Sequence, residues 1–261
     1  MIGTMKVVAR RWQREGRYPL VTSTLRKVWQ GAKNAGDRGR IARVDRALAE
    51  GRLPDDPAAA VAMVMDDPAF AAVRPIQQRD ELTGLIELVA ARKPRVLMEI
   101  GTARGGTLML MTRFAAQDAV VVSVDLPFGR NGGGYPEWKV PHYRGFATEG
   151  QTLHLIRGDS HAEATRREVE GLLGAKRIEF LMIDGDHSAE GVARDHALWS
   201  PLMAPGGIMA LHDVLENRFD PSIDVNRFWA TLEADPAIST RLLVGDPDQG
   251  NFGIGLVEMP G

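Results

Sequence analysis

Three polar side chains follow an apolar run in the second half of the chain, in the segment FLMIDGDHS at positions 180–188. Asp184, Asp186 and His187 come after four apolar residues, and one glycine separates the two carboxylates. Carboxylates and an imidazole at this spacing can hold a divalent cation or exchange a proton near neutral pH. A strand this apolar is expected to be buried, so we predict that the three side chains face a ligand crevice at its end.

Four other apolar runs of strand length also end in or beside polar residues, namely Glu99, Asp125, Asp159 with Ser160, and His212 with Asp213. Helix-length segments separate several of these runs, and such alternation is typical of a parallel sheet covered by helices on both faces. In these sheets, ligands bind beyond the carboxyl ends of the strands, near the point where the strand order reverses. We therefore predict an α/β protein in which these polar side chains collect on one rim.

A glycine-rich turn follows the first predicted strand, in the stretch MEIGTARGGT at positions 98–107. Its spacing, E-x-G-x-x-x-G-G, differs from the G-x-G-x-x-G of dinucleotide-binding proteins. Glycines let a ligand approach the backbone closely, and the helix that follows offers free N–H groups to an anion. Asp125 ends the next strand, 24 positions after Gly101, where the ribose-binding carboxylate of a nucleoside site is expected. The pair indicates a ligand that contains a nucleoside.

Asp159 and Ser160, at the end of the third predicted strand, have two interpretations. A polar side chain at this place can accept a hydrogen bond from an adenine amino group. Either residue is also a suitable N-cap for the helix predicted to follow, because its side-chain oxygen can accept from the first backbone N–H groups. Both interpretations stay open on the sequence alone.

The chain has 261 residues, of which 44% are hydrophobic, and a formal net charge of −2. This size suits one large globular domain, or one domain with an appendage. The absence of cysteine excludes a disulfide scaffold and thiolate metal sites. No apolar run reaches the roughly 20 residues that cross a bilayer, and the first residues lack the apolar region of a signal peptide. We expect a soluble cytoplasmic protein without a transmembrane segment.

The first 46 residues carry twelve Lys or Arg against three acidic side chains. A basic segment can contact nucleic acid, an anionic lipid surface or an acidic partner. Its aromatic residues are too sparse for base stacking, so we expect no nucleic acid. We interpret residues 1–76 as a basic helical extension that docks on its own or a neighbouring subunit, and residues 77–261 as the ligand-binding domain. The extension favours a homodimer.

Apolar spacing predicts three helices before the sheet, within positions 19–39, 56–70 and 76–94. The first is expected to end near Gly31, prolines bracket the second, and Pro94 follows the third. Gln77 and Gln78, at the start of the third, could form part of a lid. The stretches RLLVG and NFGIGLVEM near the C-terminus predict two antiparallel strands.

Positions 127–150 are rich in Gly, Pro and aromatic residues and are too long for an ordinary connection. We predict that this segment is a loop on the substrate side of the sheet. Four of its side chains could stack on a substrate ring: Tyr135, Trp138, His142 and Tyr143.

Several stretches together resemble a known family. VLMEIGTARGGT, VVSVDLP, RGDSH and IDGDHSAEGVARDHALWSPLMAPGGIMALHDV resemble, in this order, the motifs of class I S-adenosylmethionine-dependent methyltransferases. The last string most resembles the cephalosporin-hydroxylase-like and macrocin-type sugar O-methyltransferases, which are relatives of catechol O-methyltransferases. The resemblance covers about residues 77–258. It implies a Rossmann-like, doubly wound, mostly parallel seven-stranded sheet with an antiparallel C-terminal strand, after an N-terminal helical extension.

The resemblance also implies where the cofactor S-adenosyl-L-methionine would bind. Glu99, Gly101 and Gly105 would hold its methionine part, Asp125 its ribose hydroxyls, and Asp159 with Ser160 would border its adenine. Thr102 in the glycine turn and Asp184 at the end of the fourth strand complete the implied cofactor residues.

A divalent cation, Mg²⁺ or Mn²⁺, is implied as well, with Asp184, His212 and Asp213 as its ligands. Relatives usually carry a carboxylate at the position of His212, and histidine is a softer ligand than Mg²⁺ prefers. Asp186 and His187 are the candidates for the general base that takes the proton of the acceptor hydroxyl. His187 is favoured because its unperturbed pKa is closer to neutrality.

The function implied is therefore metal-assisted transfer of a methyl group to a hydroxyl of a sugar, glycoside or polysaccharide. A catechol-like or other small-molecule acceptor is the alternative within the same reaction. A metal-dependent glycosyltransferase is a rival from another class, because Asp184-Gly185-Asp186 has the D-x-D pattern that binds the metal of a nucleotide-sugar. A dehydrogenase is disfavoured by the glycine spacing.

Overall fold

A computed structural model of the chain describes residues 37–127 and 134–261. The first described helices are α1 at residues 37–49, α2 at Pro57–Asp66 and α3 at Arg79–Arg92, with a 3₁₀ turn at Pro68–Phe70. Asp56 caps α2 by accepting a hydrogen bond from the backbone N of Ala59 at 2.8 Å, and Pro57 takes the first helical position. The predicted helices at 56–70 and 76–94 are confirmed. The helix predicted to end near Gly31 lies outside the described residues.

Seven strands form one sheet within the described residues: β1 Val96–Ile100, β2 Val120–Val124, β3 Thr152–Ile156, β4 Ile178–Ile183, β5 Met203–His212, β6 Ser239–Leu243 and β7 Ile254–Glu258. Their order is β3-β2-β1-β4-β5-β7-β6. Strands β1 to β5 pair in parallel, whereas β7 runs antiparallel to both β5 and β6. The order reverses between β1 and β4, which is where such a sheet opens a ligand crevice. The predicted Rossmann-like sheet is confirmed.

The remaining helices are α4 Gly106–Phe114, α5 Val140–Arg144, α6 Glu163–Leu173, α7 Ala189–Trp199 and α8 Val225–Glu233, with 3₁₀ turns at Glu137–Lys139 and Ser200–Leu202. They cover both faces of the sheet, since neighbouring strand residues such as Leu97 and Met98 belong to two different hydrophobic clusters. Helices α1 to α4 pack on one face, and α6, α7 and α8 pack on the other. No described helix has the length and apolarity needed to cross a bilayer.

Helices α1 and α2 are part of the main core. Ile41 and Val44 of α1 and Val64 of α2 are fully buried, in the same cluster as Leu82 of α3 and Leu108 of α4. The boundary predicted between residues 76 and 77 therefore lies within a single hydrophobic core.

Candidate active site

The carboxyl ends of β1, β2, β4 and β5 lie side by side. Ile100 is level with Ile183 in the neighbouring strand, and Ile183 is level with Leu211. The next residues, Asp184 after β4 and His212 at the end of β5, therefore meet at the same edge of the sheet. The apolar strands fix this register, because a shift by one residue would turn each buried side chain to the opposite face.

Four side chains form a compact group at this edge: Asp184, His187, His212 and Asp213. One donor atom from each lies within 4.8 Å of the others. Nδ1 of His187 is 2.5 Å from Oδ2 of Asp213, and Nδ1 of His212 is 3.0 Å from Oδ1 of Asp184. We call this group the acid–histidine cluster. It brings the three predicted metal ligands together with the predicted base.

The backbone at Asp213 is unusual, with a φ of 63°. Residues other than glycine adopt this left-handed conformation uncommonly, although aspartate tolerates it better than most, and it costs about 1–2 kcal/mol. The conformation aims the Asp213 carboxylate at both histidines, since Nδ1 of His212 is also 3.5 Å from Oδ1 of Asp213. Such strain at the end of a rim strand is typical of a functional position.

The two aspartates determine the charge of the two histidines. Burial alone would lower the pKa of His212, but the combined effect of the nearby Asp184 and Asp213 carboxylates exceeds that of burial and raises this pKa well above its usual value. Burial also opposes the charged form of His187, yet its hydrogen bond with Asp213 raises its pKa. Burial would raise the pKa of Asp213, but the hydrogen bond with His187 and the nearby His212 together lower it. Without a bound cation the two aspartates therefore favour the protonated form of both histidines, and a histidine that binds a cation or accepts a proton would first lose its own proton.

The cluster has the donors that a divalent cation needs. Oδ1 of Asp184 and both ring nitrogens of His212 are buried and make no hydrogen bond among the described residues. Nδ1 of His212 nevertheless lies 3.0 Å from Oδ1 of Asp184. Buried polar atoms usually have partners in folded proteins, so these atoms are available to bind a cation or a polar group of a ligand. Two imidazoles with two carboxylates suit Mn²⁺, Fe²⁺ or Zn²⁺ better than Mg²⁺, which prefers oxygen alone.

Sequence reasoning missed His187 as a candidate ligand. Asp184 and His187 are three positions apart at the end of a strand, and this spacing was the available signal. The turn between β4 and α7 returns the His187 side chain to the carboxylate that ends the strand, 3.9 Å away.

Asp186 lies outside the acid–histidine cluster. Its Oδ1 accepts hydrogen bonds from the backbone N of Ser188 at 3.0 Å and from Ser188 Oγ at 2.8 Å, and its side chain is exposed. Ser188 is the N-cap of α7 and accepts from the backbone N of Gly191 at 3.0 Å. Asp186 thus orders the turn at the start of α7. Of the two aspartates, Asp184 is the one that lies beside the histidines. The arrangement does not support the D-x-D hypothesis.

Gly101 lies where β1 and β4 approach most closely. It has a φ of 90°, and a Cβ added there would be 2.0 Å from the backbone oxygen of Asp184. The backbone N of Asp184 donates to the oxygen of Ile100 at 2.8 Å and holds this approach, while the backbone N of Gly101 donates to Val124 of β2 at 2.9 Å. Glycine is therefore required at this position for both conformation and space.

Gly105 is the second glycine of the turn with a left-handed backbone, at a φ of 87°. It precedes α4 directly, so the free N–H groups of that helix begin here. A Cβ on Gly105 would lie 2.8 Å from the ring of Tyr143, so the loop after β2 packs onto the glycine turn.

Asp125 is buried beside the glycine turn. Its Oδ1 accepts from the backbone N of Thr102 at 3.2 Å, and its Oδ2 accepts from the backbone N of Tyr135 at 2.9 Å. Burial raises its pKa, and these backbone hydrogen bonds partly offset the rise. Each carboxylate oxygen has a second lone pair, so Asp125 can also accept from ribose hydroxyls. Thr102 is fixed from the other side by Ser123, with hydroxyl oxygens 2.5 Å apart.

Glu99 is completely buried next to this turn. Burial raises its pKa well above the usual value, and the charges of Asp184 and Asp125 add to the rise. Its Oε2 has no hydrogen-bond partner among the described residues. A positively charged group of a ligand would supply that partner and favour the ionised carboxylate. The residues around the glycine turn therefore fit the amino group and the ribose of S-adenosylmethionine.

Asp159 and Ser160 do not cap the following helix. Helix α6 begins at Glu163, and Ala162 occupies the N-cap position, so the capping interpretation is wrong. Asp159 is exposed and its Oδ1 accepts from the backbone N of His161 at 2.9 Å, which closes a tight turn. The contact of Asp159 and Ser160 with adenine stays a prediction.

The aromatic residues of the long loop have mixed roles. Tyr135 and Tyr143 are buried with ring centroids 4.9 Å apart, and Tyr143 also stacks on Phe146 at 5.0 Å. The hydroxyl of Tyr143 donates to the backbone oxygen of Arg104 at 2.5 Å. These two tyrosines pack on the protein itself, and the prediction that they stack on a substrate is wrong. Stacking by Trp138 and His142 stays a prediction.

Gln77 contacts the acid–histidine cluster, which the sequence did not indicate. Its side-chain Nε2 donates to Oδ2 of Asp184 at 2.9 Å, and its Oε1 accepts from the hydroxyl of Thr107 at 3.1 Å. Gln77 is buried, so it is placed as an internal bridge and not as part of a mobile lid.

Comparison with known proteins gives matches that include the strands carrying this site. Residues 98–214 match a family described as a methyltransferase domain, and this range runs from β1 to just beyond Asp213. The O-methyltransferase from Bacillus cereus in complex with SAH has a similar structure, with a TM-score of 0.54, 18% sequence identity and coverage of 83% of this chain and 96% of that chain. The SAM complex of TomG, an O-methyltransferase of Streptomyces achromogenes involved in tomaymycin synthesis, gives a TM-score of 0.51, 15% identity and coverage of 84% and 96%. At these identities the likeness shows the fold. A search of curated proteins gives no match.

Proposed function

We propose that this protein, whose residues 98–214 match a methyltransferase domain, is an S-adenosylmethionine-dependent O-methyltransferase. The observation that carries the proposal is the position of two chemically different sites on one rim. Buried Glu99 and Asp125 flank a glycine turn whose tight approach to β4 places it next to Asp184. A methyl donor and an acceptor hydroxyl must meet in line for displacement, and adjacent sites supply that arrangement.

The glycine-turn side is the proposed cofactor side. S-adenosylmethionine would supply the methyl group there, and the two structures described above contain SAH or SAM. Glu99 would pair its free oxygen with the amino group of the methionine part, and Asp125 would accept from the ribose hydroxyls. Gly101 and Gly105, which permit the left-handed backbone of the turn, would hold the methionine part, and Asp159 with Ser160 would border the adenine.

The acid–histidine cluster is the proposed acceptor side. Nδ1 of His187 faces Asp213, which leaves its other ring nitrogen to take a proton from the acceptor hydroxyl. Asp213 holds the ring in place and stabilises the positive charge that forms, as in other Asp–His pairs. We prefer His187 to Asp186 as the base, because the Asp186 carboxylate is engaged by Ser188 at the start of α7.

We propose that a divalent cation assists this side. Asp184, His212 and Asp213 would hold it, and when bound it would lower the pKa of the acceptor hydroxyl. The donor set favours Mn²⁺ over Mg²⁺ as the ion to test.

The acceptor that we propose is a hydroxyl of a sugar, glycoside or polysaccharide. Support for this class is the resemblance of residues 183–214 to macrocin-type sugar O-methyltransferases. A catechol-like acceptor is the alternative, and a methyl-transfer assay with both classes separates them. The homodimer and the cytoplasmic location stay predictions.

Isothermal titration calorimetry with S-adenosylmethionine and SAH tests the cofactor side. We expect both ligands to bind the wild-type protein and to bind much more weakly to Glu99→Ala and Asp125→Ala. Asp118→Ala is the matched control. Asp118 is an exposed carboxylate that precedes β2 and pairs with Arg95, so it lies at the amino ends of the strands, opposite to the proposed cofactor site. No binding to the wild-type protein, together with binding of a nucleotide-sugar, would contradict the proposal.

A further inference from the structure

We propose that Gln77 is a positioning residue that dictates which oxygen of Asp184 is available to a cation. The inference rests on the proposed function, since it treats Asp184 as part of a cation site. It goes beyond that function by giving a role to a residue outside the matched domain, in the segment between α2 and α3.

The hydrogen bonds of Gln77 fix the direction of its amide group. Nε2 of Gln77 lies 2.9 Å from Oδ2 of Asp184, and Oε1 of Gln77 lies 3.1 Å from the hydroxyl oxygen of Thr107. An ionised carboxylate only accepts, so the amide nitrogen must face Asp184. The carbonyl oxygen then faces Thr107, whose hydroxyl donates to it. Both ends of the amide are used, and the side chain is held in one orientation.

The hydrogen bond from Gln77 gives the two carboxylate oxygens of Asp184 different surroundings. Oδ2 is occupied by the amide of Gln77, while Oδ1 points to His212 and has no hydrogen-bond partner among the described residues. Asp184 can therefore offer one oriented oxygen to the acid–histidine cluster. Without Gln77, the carboxylate would lose the hydrogen bond that orients Oδ2, and this loss would weaken cation binding.

The contacts of Gln77 differ from those of a glutamine that only supports the fold. Gln151 is such a residue, since its amide nitrogen donates to the backbone oxygens of Thr112 and Ala116 at 2.8 and 2.9 Å. Gln77 instead joins two side chains, Asp184 after β4 and Thr107 in the first turn of α4. Thr107 follows the glycine turn directly, so Gln77 links the proposed cofactor side to the proposed acceptor side.

The test is calorimetric titration of the purified protein with Mn²⁺, with the electron paramagnetic resonance spectrum of bound Mn²⁺ as a second measurement. Gln77→Met keeps the length of the side chain and removes the donor. We expect it to weaken Mn²⁺ binding by about 10- to 100-fold, the usual effect of losing a partner of a metal ligand, and to change the spectrum. Thr107→Val should weaken binding by less, because Gln77 can still donate to Asp184.

Gln151→Met is the matched control, and it should leave Mn²⁺ affinity unchanged even if it lowers the melting temperature. Gln77→Asn is the second variant, in case Gln77→Met does not fold. Its amide is too short to reach both partners, so it should weaken Mn²⁺ binding too. Unchanged Mn²⁺ affinity in the folded Gln77 variants, an equal loss in Gln151→Met, or no binding to the wild-type protein would overturn the inference.

Titration with SAH separates this inference from the proposed function. If the Gln77 variants lose Mn²⁺ affinity and keep SAH affinity, the positioning role is supported. If the wild-type protein binds Mn²⁺ and not SAH, the proposed function fails, while the comparison of Mn²⁺ affinities still decides the role of Gln77.

Discussion

Replacement of Gly101 by alanine is the most direct test of how the rim is built. Its φ of 90° would cost a non-glycine residue about 1–3 kcal/mol. The new Cβ would also lie 2.0 Å from the backbone oxygen of Asp184, which cannot rotate away as a side chain can. Relieving an overlap of this kind typically costs about 1–3 kcal/mol more. We therefore expect Gly101→Ala to lose about 2–6 kcal/mol of the roughly 5–15 kcal/mol that stabilises a typical protein.

Urea unfolding followed by circular dichroism measures this loss. Gly171→Ala is the control, because Gly171 lies inside α6 with nothing within 4 Å of an added Cβ. That change should stabilise the protein by about 0.5–1 kcal/mol, since alanine is the better helix former. Ordinary surface substitutions change the free energy of unfolding by up to about 0.5 kcal/mol. If Gly101→Ala changes it by no more than this, β1 and β4 do not approach each other as described.

Three further predictions concern buried acids of the rim and of α7. Nε2 of His161 lies 3.4 Å from the buried carboxylate of Asp195, which raises the pKa of His161. The stability that this pair contributes is complete below the unfolded pKa of about 6.5 and is lost as pH rises through the higher folded pKa. Asp195→Asn should therefore reduce the decrease in the free energy of unfolding between pH 6 and 9, measured by urea unfolding. Burial raises the pKa of Glu99, so ionisation destabilises the fold as pH rises above the unfolded value, and Glu99→Gln should be more stable than the wild-type protein at pH 8 and yet bind SAH more weakly by calorimetry. Asp213→Asn should slow methyl transfer by about 10²- to 10⁴-fold in single-turnover assays with SAH affinity unchanged, because Asp213 holds the proposed base His187; an unaltered rate would exclude this pair from the chemistry.

The rim was predictable because the rule behind it is local in sequence. Each strand from β1 to β5 is an apolar run that ends at a polar residue, and parallel pairing places these ends at one edge whatever the helices do. The glycine turn followed from the same logic. These features need only the order of elements and the direction of the strands, and both can be read from periodicity.

The roles of single side chains were less predictable, because they depend on where the chain turns. Asp186 and His187 are adjacent in sequence, yet Asp186 accepts a hydrogen bond from Ser188, whereas His187 forms one with Asp213. The difference follows from the exact residue at which α7 begins, and helix starts are uncertain by a few positions from sequence alone. Tyr135 and Tyr143 were misassigned for a related reason, since aromatic residues in a long loop can serve packing as well as binding.

The role of Gln77 depends on contacts that are far apart in sequence, and it changes the view of the segment before the sheet. A Cβ on Gly106 would lie 2.0 Å from the backbone oxygen of Val73, so the start of α4 is pressed against the chain just before Gln77. Val73 and Phe70 are fully buried in the core that α1 and α2 share with α4. The preceding helices therefore hold Gln77 at the distance from which its amide reaches Asp184. A change in their packing, such as Phe70→Ala, is expected to loosen this hydrogen bond as well as the fold, and so to act on the proposed cation site from outside the matched domain.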